Sequence, residues 1–441
     1  MASITPRMKK DGSLSYMITI SLGRDAEGRK IKQTATFTPK SKAPTKALKE
    51  AEAYAAKLEE QILSGDIVSG DRVTFAEFVE IWRQNWLPAK TPTVRENYYR
   101  VLRVRVLPKI GNLKMTNIRA THIDKILKDE TAEGKAPKTV RMTYAVTNSV
   151  FKYAVRKQYI RENPCLRCDD LPAVKAKTGN DICFFNKDQA RRFLKDALTR
   201  EYDISVSGHQ RKLQKTGQRY AVPDYHVSHK IPFQWRVYFT LAIYGQLRRG
   251  EECGLTWRDI DLNKHIVSIN KALASVKEGQ FVKDPKTDAG IRDIVIPSDC
   301  IALLRQWKKE QRALCMSMGT AWKGHRDAII DGKQDSFEDN TVFIQLDSGL
   351  PLHLSTPGHK FAEIISLYNA TCEREEDKLP KIRLHDLRHT GATLLLSQNT
   401  DIETVSRRLG HSKASVTLDI YGHALPENDR QASDTLEAMF L

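Results

Sequence analysis

No apolar run in these 441 residues is long enough to cross a bilayer, a task that takes roughly 20 consecutive apolar residues. The opening stretch MASITPRMKKDGSLSYMITIS carries basic residues but neither the apolar core nor the cleavage pattern of a secretory peptide. Cysteine is sparse and odd in number: seven thiols are scattered along the chain. That excludes a disulfide framework and fits a reducing compartment. Cys165 and Cys168 form a single CxxC with no second pair at zinc-ribbon spacing, so two ordinary thiols in a linker are the expectation. Negative charge is the remaining shortage. Asp and Glu number 54 against 71 Lys and Arg, a net charge of +17. The expectation is a soluble cytoplasmic protein with no membrane partner and no metal.

An excess of this sign is rewarded by phosphate backbones through counterion release, and no lipidation motif or basic amphipathic anchor diverts it to a membrane. The excess is uneven. Between Arg72 and Asp170 there are 20 Lys and Arg against 10 Asp and Glu, which favours nucleic acid as the partner.

Length and punctuation predict three segments. The first, residues 1–70, has two strands, Ser15–Leu22 and Lys30–Phe37, around a Gly- and Asp-rich turn, then an Ala-, Leu-, Lys- and Glu-rich helix closed by Gly65. Its basic residues Arg24, Arg29, Lys30 and Lys32 suit a strand ribbon reading a DNA groove, and equally a solvated small fold. The second, residues 71–170, is a helical bundle opening at Thr74 as N-cap, with Phe75, Phe78, Val79 and Trp82 at helical spacing. Arg95, Arg100, Arg103 and Arg105 mark a cationic face, and Arg95, Arg100, Arg103, Lys138 and Arg141 are the DNA-binding candidates; Tyr98, Tyr99, Tyr144 and Phe151 suit base stacking, but aromatics at helical spacing are more often core. The third, residues 181–441, is mainly helical with a small sheet. Ser207–Lys230 reads as a long polar loop holding His209, His226 and His229, whose spacing suits no metal. The overall class is multidomain α+β.

The third segment carries the chemistry. LRRGEECGLTWRDIDL (Leu247–Leu262) joins a helix to a strand region. VKDPKTDAGIRDIVIP (Val282–Pro297) reads as a hairpin with Lys286 at its turn. LHDLRHTGATLLL (Leu384–Leu396) is an apolar helix with His385 and Arg388 on one face. LGHSKASVTLDIYGH then supplies His411 and Tyr421. Each alone has a plain alternative: a solvated turn lysine, a capping histidine, a core tyrosine. Together, in this order, they resemble the tyrosine recombinases, and among them the integrases of phages and conjugative transposons.

The resemblance implies that Arg248, Lys286, His385, Arg388, His411 and Tyr421 fill the six catalytic positions. One departure stands out: glycine is usual two residues before the first arginine, and here Gln246 follows Gly245. The implied chemistry suits the residue types. Two guanidiniums bind the charge that builds on the non-bridging phosphate oxygens. Tyr421 is the nucleophile, His385 its base, Lys286 the proton donor to the leaving 5′-hydroxyl, and His411 a further phosphate contact. A 3′-phosphotyrosine conserves the bond energy, so no cofactor is required. Glu251 reads as support for the arginine and Asp386 as charge at a helix N-terminus. The resemblance further implies an arm-site-binding first segment and a core-site-binding second segment. It implies a homotetramer on double-stranded DNA that exchanges strands through a Holliday junction, integrating or excising a mobile element in association with the bacterial nucleoid. An excisionase and a host DNA-bending protein would be additional partners. Ala432, Leu436, Met439 and Phe440 form an apolar stripe on a C-terminal helix, which either closes on its own domain or docks on a neighbour. Two rivals are a type IB topoisomerase, against which the compact third segment argues, and a non-catalytic DNA-binding regulator, against which six filled positions argue.

Overall fold

The computed structural model describes residues 2–8, 14–24, 30–41, 43–63, 73–174, 183–212, 219–285, 288–324, 329–330, 333–334, 341–422 and 429–440. The chain divides into two compact units, Met1–Val174 and Lys175–Leu441.

The first unit contains a three-stranded antiparallel meander, β1 (Ser3–Met8), β2 (Leu14–Arg24) and β3 (Lys30–Phe37), in that order. β2 and β3 match the two strands located in the sequence, and β1 is the third strand of an expected two or three. Alternation along β2 turns Tyr16, Ile18 and Ile20 inward. Helix α1 (Pro44–Leu63) meets them with Ala47, Ala51, Ala55 and Leu58, small residues that let a helix lie close to a sheet. A separate apolar core follows. Helix α2 (Phe75–Asn85) is opened by a capping box: the Thr74 side chain accepts from the Glu77 N–H, and the Glu77 carboxylate accepts from the Thr74 N–H at 2.8 Å. Phe75, Phe78, Val79 and Trp82 form its buried stripe. Helix α3 (Pro92–Val101) runs through a π-helical turn, Leu102–Val106, into the short α4 (Leu107–Ile110). Helices α5 (Ala120–Ala132) and α6 (Pro137–Arg156) complete the bundle. Phe151 is fully buried, and Tyr98, Tyr99 and Tyr144 pack against this core, so these aromatics are structural as expected.

In the second unit α7 (Lys187–Arg192) continues as a π-helical turn, Phe193–Ala197. The stretch expected as a polar loop is instead a β-ribbon. β4 (Glu201–Val206) pairs with β7 (Tyr225–Lys230), and β5 (His209–Lys212) with β6 (Arg219–Val222), all antiparallel. Tyr202, Ile204 and Val206 lie opposite His229, Val227 and Tyr225, an alternation masked in the sequence by the polar residues between them. Its histidines are therefore strand residues; His226 is exposed and His229 half-buried.

Helix α8 (Phe233–Gly245) is apolar on every side and buried nearly throughout, the signature of a central core helix. Its Phe239 packs with Phe193 and Phe361 at ring-centroid distances of 5.7 and 5.5 Å, and those two rings lie 5.3 Å from each other. The short α9 (Arg249–Cys253) leads to two small sheets. Strand β8 (Ile260–Asp261) pairs with β9 (Ile266–Ile269), and β10 (Ala272–Val276) pairs with β11 (Gly279–Lys283). Strand β12 (Arg292–Val295) pairs with β9. The expected hairpin over Val282–Pro297 is thus corrected, because its two strands pair with different partners. Long-range pairing of this kind leaves no local sequence mark. Helices α10 (Ser298–Met318), α11 (Thr356–Ala370), α12 (Asp386–Leu396), α13 (Ile402–Leu409), α14 (Ala414–Tyr421) and α15 (Asp429–Phe440) follow. No helix among the described residues is long and apolar enough to cross a membrane.

Phe239 lies at the centre of this aromatic cluster, so Phe239→Ala should lower stability by about 3–5 kcal/mol. Urea denaturation followed by far-UV circular dichroism reads the shift in midpoint.

Candidate active site

Three separated stretches of the second unit converge on the turn after α13. The first is the α8–α9 junction. Helix α8 ends at Gln246, held in the left-handed region at φ 51°, ψ 38°. This is the position where the resemblance expected a glycine nearby, and the backbone adopts the conformation that glycine takes without strain. The turn frees the Gln246 carbonyl to accept from Arg388 Nη1 at 2.7 Å. Two residues on, the Arg248 N–H donates to Glu251 Oε2 at 2.9 Å, capping α9.

The second stretch is α12, which begins beside His385. Asp386 accepts from the Arg383 N–H at 2.7 Å and from its guanidinium, so the first turn is charge-matched as expected. Gly391 lets α12 approach α8, since a Cβ there would lie 2.3 Å from the Ile243 carbonyl oxygen. That closeness carries Arg388 into the interior, where it is only 3 % exposed.

The third is the α13–α14 turn. Gly410 takes φ 63°, and a Cβ there would meet Arg292 Nη1 at 2.9 Å and the Ala289 carbonyl at 3.0 Å. Its neighbour His411 is thereby turned onto Arg388. Helix α14 is only eight residues long and presents Tyr421 at its last position.

These turns build a cage of carbonyls and one carboxylate around three guanidiniums. Arg388 donates to the carbonyls of Gln246 and Leu409, the latter at 2.5 Å. Arg248 donates to Glu251 Oε1 at 2.6 Å and to the Gly410 carbonyl at 3.1 Å, and remains part-exposed. Arg292 is buried and donates to Glu251 at 2.8 and 3.3 Å and to the carbonyls of Arg408 and Gly290. Burial alone would raise the Glu251 pKa. The hydrogen bonds and charge of Arg292, with those of Arg248, outweigh it and hold the carboxyl below its usual range. Burial, then the neighbouring Arg248, brings Arg388 down to about 9, which leaves it charged at neutral pH.

Arg388 Nη2 lies 3.3 Å from His411 Nε2. A guanidinium offers only donors, so Nε2 accepts and Nδ1 carries the proton. Nδ1 then donates to Thr417 Oγ1 at 2.9 Å. Burial and the three arginines bring His411 to about 4, keeping it neutral. Tyr421 is 1 % exposed and packs with Ala392, Leu396, Val405 and Leu409. Burial pushes its phenol up to about 12, against the opposing charge of Arg388.

The histidine on that phenol is His389: its Nδ1 lies 2.6 Å from the Tyr421 hydroxyl. His385, expected as the base for Tyr421, makes no such contact. His385 instead stands edge-on to His389, with ring centroids 5.2 Å apart, and retains exposed surface. Crowding by the protein and the charge of Arg388 lower its pKa. The structure thus brings Arg248, Arg388, His411 and Tyr421 around one turn, with His385 one ring removed from the phenol. Lys286 lies outside the described residues. Arg292 and His389 were missed by sequence reasoning. His389 stands four residues after His385 on one helical face, and Arg292 shares its inward face with Ile294 and Ile296.

Among the candidate DNA contacts, Arg95, Arg100, Arg103, Lys138 and Arg141 are exposed on the helical bundle. Arg105 is not free for such a role, because its guanidinium hydrogen-bonds Thr143 at 3.1 Å and lies 3.6 Å from the buried Glu130. On the small sheet Lys32 is exposed, Arg24 and Lys30 are register partners across β2 and β3, and Arg29 lies outside the described residues. Among the described residues no cluster of side chains could hold a metal ion. Cys165 is buried and Cys168 half-buried; burial pushes the Cys168 thiol up to about 12 and the Cys165 thiol higher still, as befits inert thiols.

Comparison with known proteins places residues 220–428 in the phage integrase family and residues 75–170 in the phage integrase central domain. Over 98 % of both chains, the sequence is 25 % identical to a XerC-like tyrosine recombinase of Caldanaerobacter subterraneus subsp. tengcongensis. It is 24 % identical to the ICEBs1 integrase of Bacillus subtilis, over 98 % of this chain and 99 % of that one. The Tn1549 transposon integrase, solved with a circular intermediate DNA, superposes with a TM-score of 0.59 at 19 % identity, covering 82 % of this chain and 99 % of that chain. Lambda integrase, solved as a tetramer on a Holliday junction, gives 0.50 at 14 % identity over 95 % of each.

Among the described residues Glu251 is the one carboxylate paired with both Arg248 and Arg292, so Glu251→Gln should cost about 3–5 kcal/mol at neutral pH, the cost of breaking a buried pair from one side. A carboxyl held low in the folded state stabilises above its unfolded pKa, and that contribution fades as pH falls through the folded value. The difference between wild type and Glu251→Gln should therefore be full at pH 7 and shrink in acid below roughly pH 4, as read by urea midpoints across pH.

Proposed function

The chain belongs to the phage integrase family of tyrosine recombinases, and from that premise we propose how its parts divide the work of site-specific DNA recombination. The observation that carries the reading is the convergence of Arg248, Arg388, His411 and Tyr421 on the Leu409–Gly410 turn. A phosphodiester seated there meets two guanidiniums whose orientation is already set by protein carbonyls, so little reorganisation accompanies the build-up of charge. Tyr421 attacks phosphorus and the 5′-oxygen leaves, giving a 3′-phosphotyrosine; Lys286 is the residue assigned to protonate the leaving oxygen. Attack by the 5′-hydroxyl of a partner strand reverses the step. Two such exchanges, through a Holliday junction, integrate or excise a mobile element.

The protein binds DNA. In the finer division, residues 1–70 hold arm sites through Arg24, Arg29, Lys30 and Lys32. Residues 71–170 hold core sites through Arg95, Arg100, Arg103, Lys138 and Arg141, and residues 181–441 cut and rejoin. The active assembly is a homotetramer on the bacterial chromosome, assisted by an excisionase and a DNA-bending protein. Two surfaces support association. Helix α15 exposes Leu436, Met439 and Phe440. A groove of about 490 Å³ between the α12–α13 turn and the start of α14 is lined by Ile402, Ala414 and Leu418 among others. The helix of one copy would fill the groove of the next, coupling successive active sites.

Covalent trapping tests the assignment. With chelator present, the protein is incubated on a nicked duplex bearing an end of its mobile element, quenched in SDS, and mapped by mass spectrometry. An adduct on the Tyr421 peptide is expected, and Tyr421→Phe should bind the same duplex yet form none. A duplex demonstrably bound but never joined to Tyr421 would turn the reading towards a regulatory binder. Deleting residues 1–70 should weaken arm-site binding at least tenfold in a mobility-shift assay while core-site cleavage persists.

A further inference from the structure

The identity of the group on the phenol carries more than a correction. Among the described residues, the hydrogen-bond partner of the Tyr421 hydroxyl is His389 Nδ1, at 2.6 Å. The phenol is 1 % exposed, and a buried hydroxyl hydrogen without an acceptor is costly. The phenol must therefore donate, which fixes His389 as the neutral tautomer protonated at Nε2. The groups that face His389 favour that neutral form. On α12 and the turn before it stand His385, Arg388 and Arg383, with Asp386 as the single opposing charge; Tyr421 faces it from α14. Burial, then these neighbours, brings its pKa down to about 4. It is thus an empty acceptor, aligned on the atom that must lose a proton.

We propose that His389 is a catalytic residue, the immediate proton acceptor for the nucleophile. This rests on the reading of Tyr421 as that nucleophile. As the phenolic oxygen bonds to phosphorus, its proton passes to His389 Nδ1. The P–O5′ bond breaks with its electron pair going to the 5′-oxygen, which takes a proton from a separate donor, the part assigned to Lys286. The imidazolium formed is adjacent to a phosphate newly carrying excess negative charge, so the transfer moves positive charge towards where it is needed. In the reverse step the same proton returns to the departing phenolate. His385, edge-on to His389 and further exposed, is left for the phosphate or for steadying the His389 ring.

The test uses the full chain and the nicked element-end duplex, with the scissile 5′-oxygen either natural or replaced by sulfur. Sulfur leaves without needing a proton, so it isolates activation of the nucleophile from protonation of the leaving group. His389→Ala and the near-isosteric His389→Asn, which accepts a hydrogen bond but not a proton, are compared with wild type for adduct formation between pH 6 and 9. Both variants should form adduct at least about 10²-fold more slowly on either duplex at pH 7. Their rates should climb roughly tenfold per pH unit, because phenolate must then form without help, whereas wild type stays flat against this group. A wild-type rate in His389→Asn would reduce His389 to a hydrogen-bonding prop and overturn the proposal. Recovery of either variant on the sulfur duplex alone would make His389 the acid instead, and equally overturn it. Absence of any adduct from wild type would overturn the parent reading of Tyr421 first. Thermal unfolding and duplex affinity, expected unchanged in His389→Asn, separate these outcomes from misfolding.

Discussion

One carboxylate holds the site together. Glu251 is buried between Arg248 and Arg292, and the third guanidinium, Arg388, lies close enough to be influenced by both arginines. Three like charges at such spacing repel strongly in a low-dielectric interior. One carboxylate neutralises only part of that charge. The rest is spread over the carbonyls of Gln246, Gly290, Arg408, Leu409 and Gly410. The pocket is left electropositive yet hydrogen-bonded, a state that a bound phosphate completes. Taking Glu251 away would leave the arginines uncompensated, and the α8–α9 junction, β12 and the α13–α14 turn would lose the group that ties them together.

The backbone is shaped to serve this cage. Gln246 sits in a left-handed conformation that costs a side-chain-bearing residue on the order of 1 kcal/mol, and the conformation aims its carbonyl at Arg388. Gly410 admits Arg292 where a methyl group would collide. These are places where local stability is surrendered and the surrounding packing recovers it.

Much of the site was legible because its residues lie in short contiguous signatures. Arg248, His385, Arg388, His411 and Tyr421 could each be pointed to before any coordinates, and four of them meet at one turn. What escaped was whatever depends on long-range geometry. Arg292 received no role from its sequence, although its i, i+2, i+4 spacing with Ile294 and Ile296 marks the inward face. His389 received no role from its sequence; only the packing of α14 against α12 reveals that it, not His385, meets the phenol. The fold followed the same division. The capped α2, the apolar α12 and strands β2 and β3 were read from local pattern. The ribbon at 201–230 and the separate partners of β11 and β12 were not, since pairing choice lies in remote residues.

A chain this basic, bearing a nucleophile for phosphodiesters, faces a numerical problem on the chromosome. Nonspecific sites outnumber any true target by about 10⁶–10⁹, and phosphate binding fills them without regard to sequence. Tyr421, sheathed by Ala392, Leu396, Val405 and Leu409 and bonded to a neutral imidazole, divorces occupancy from breakage. The free protein can slide over a genome with its blade closed. On the proposed reading of Tyr421, scission then waits on the free energy that a correct, assembled site supplies to bring a phosphate against that sheathed hydroxyl. Fidelity on this account is set less by which sequences are bound than by which of them can seat a phosphate at the end of an eight-residue helix.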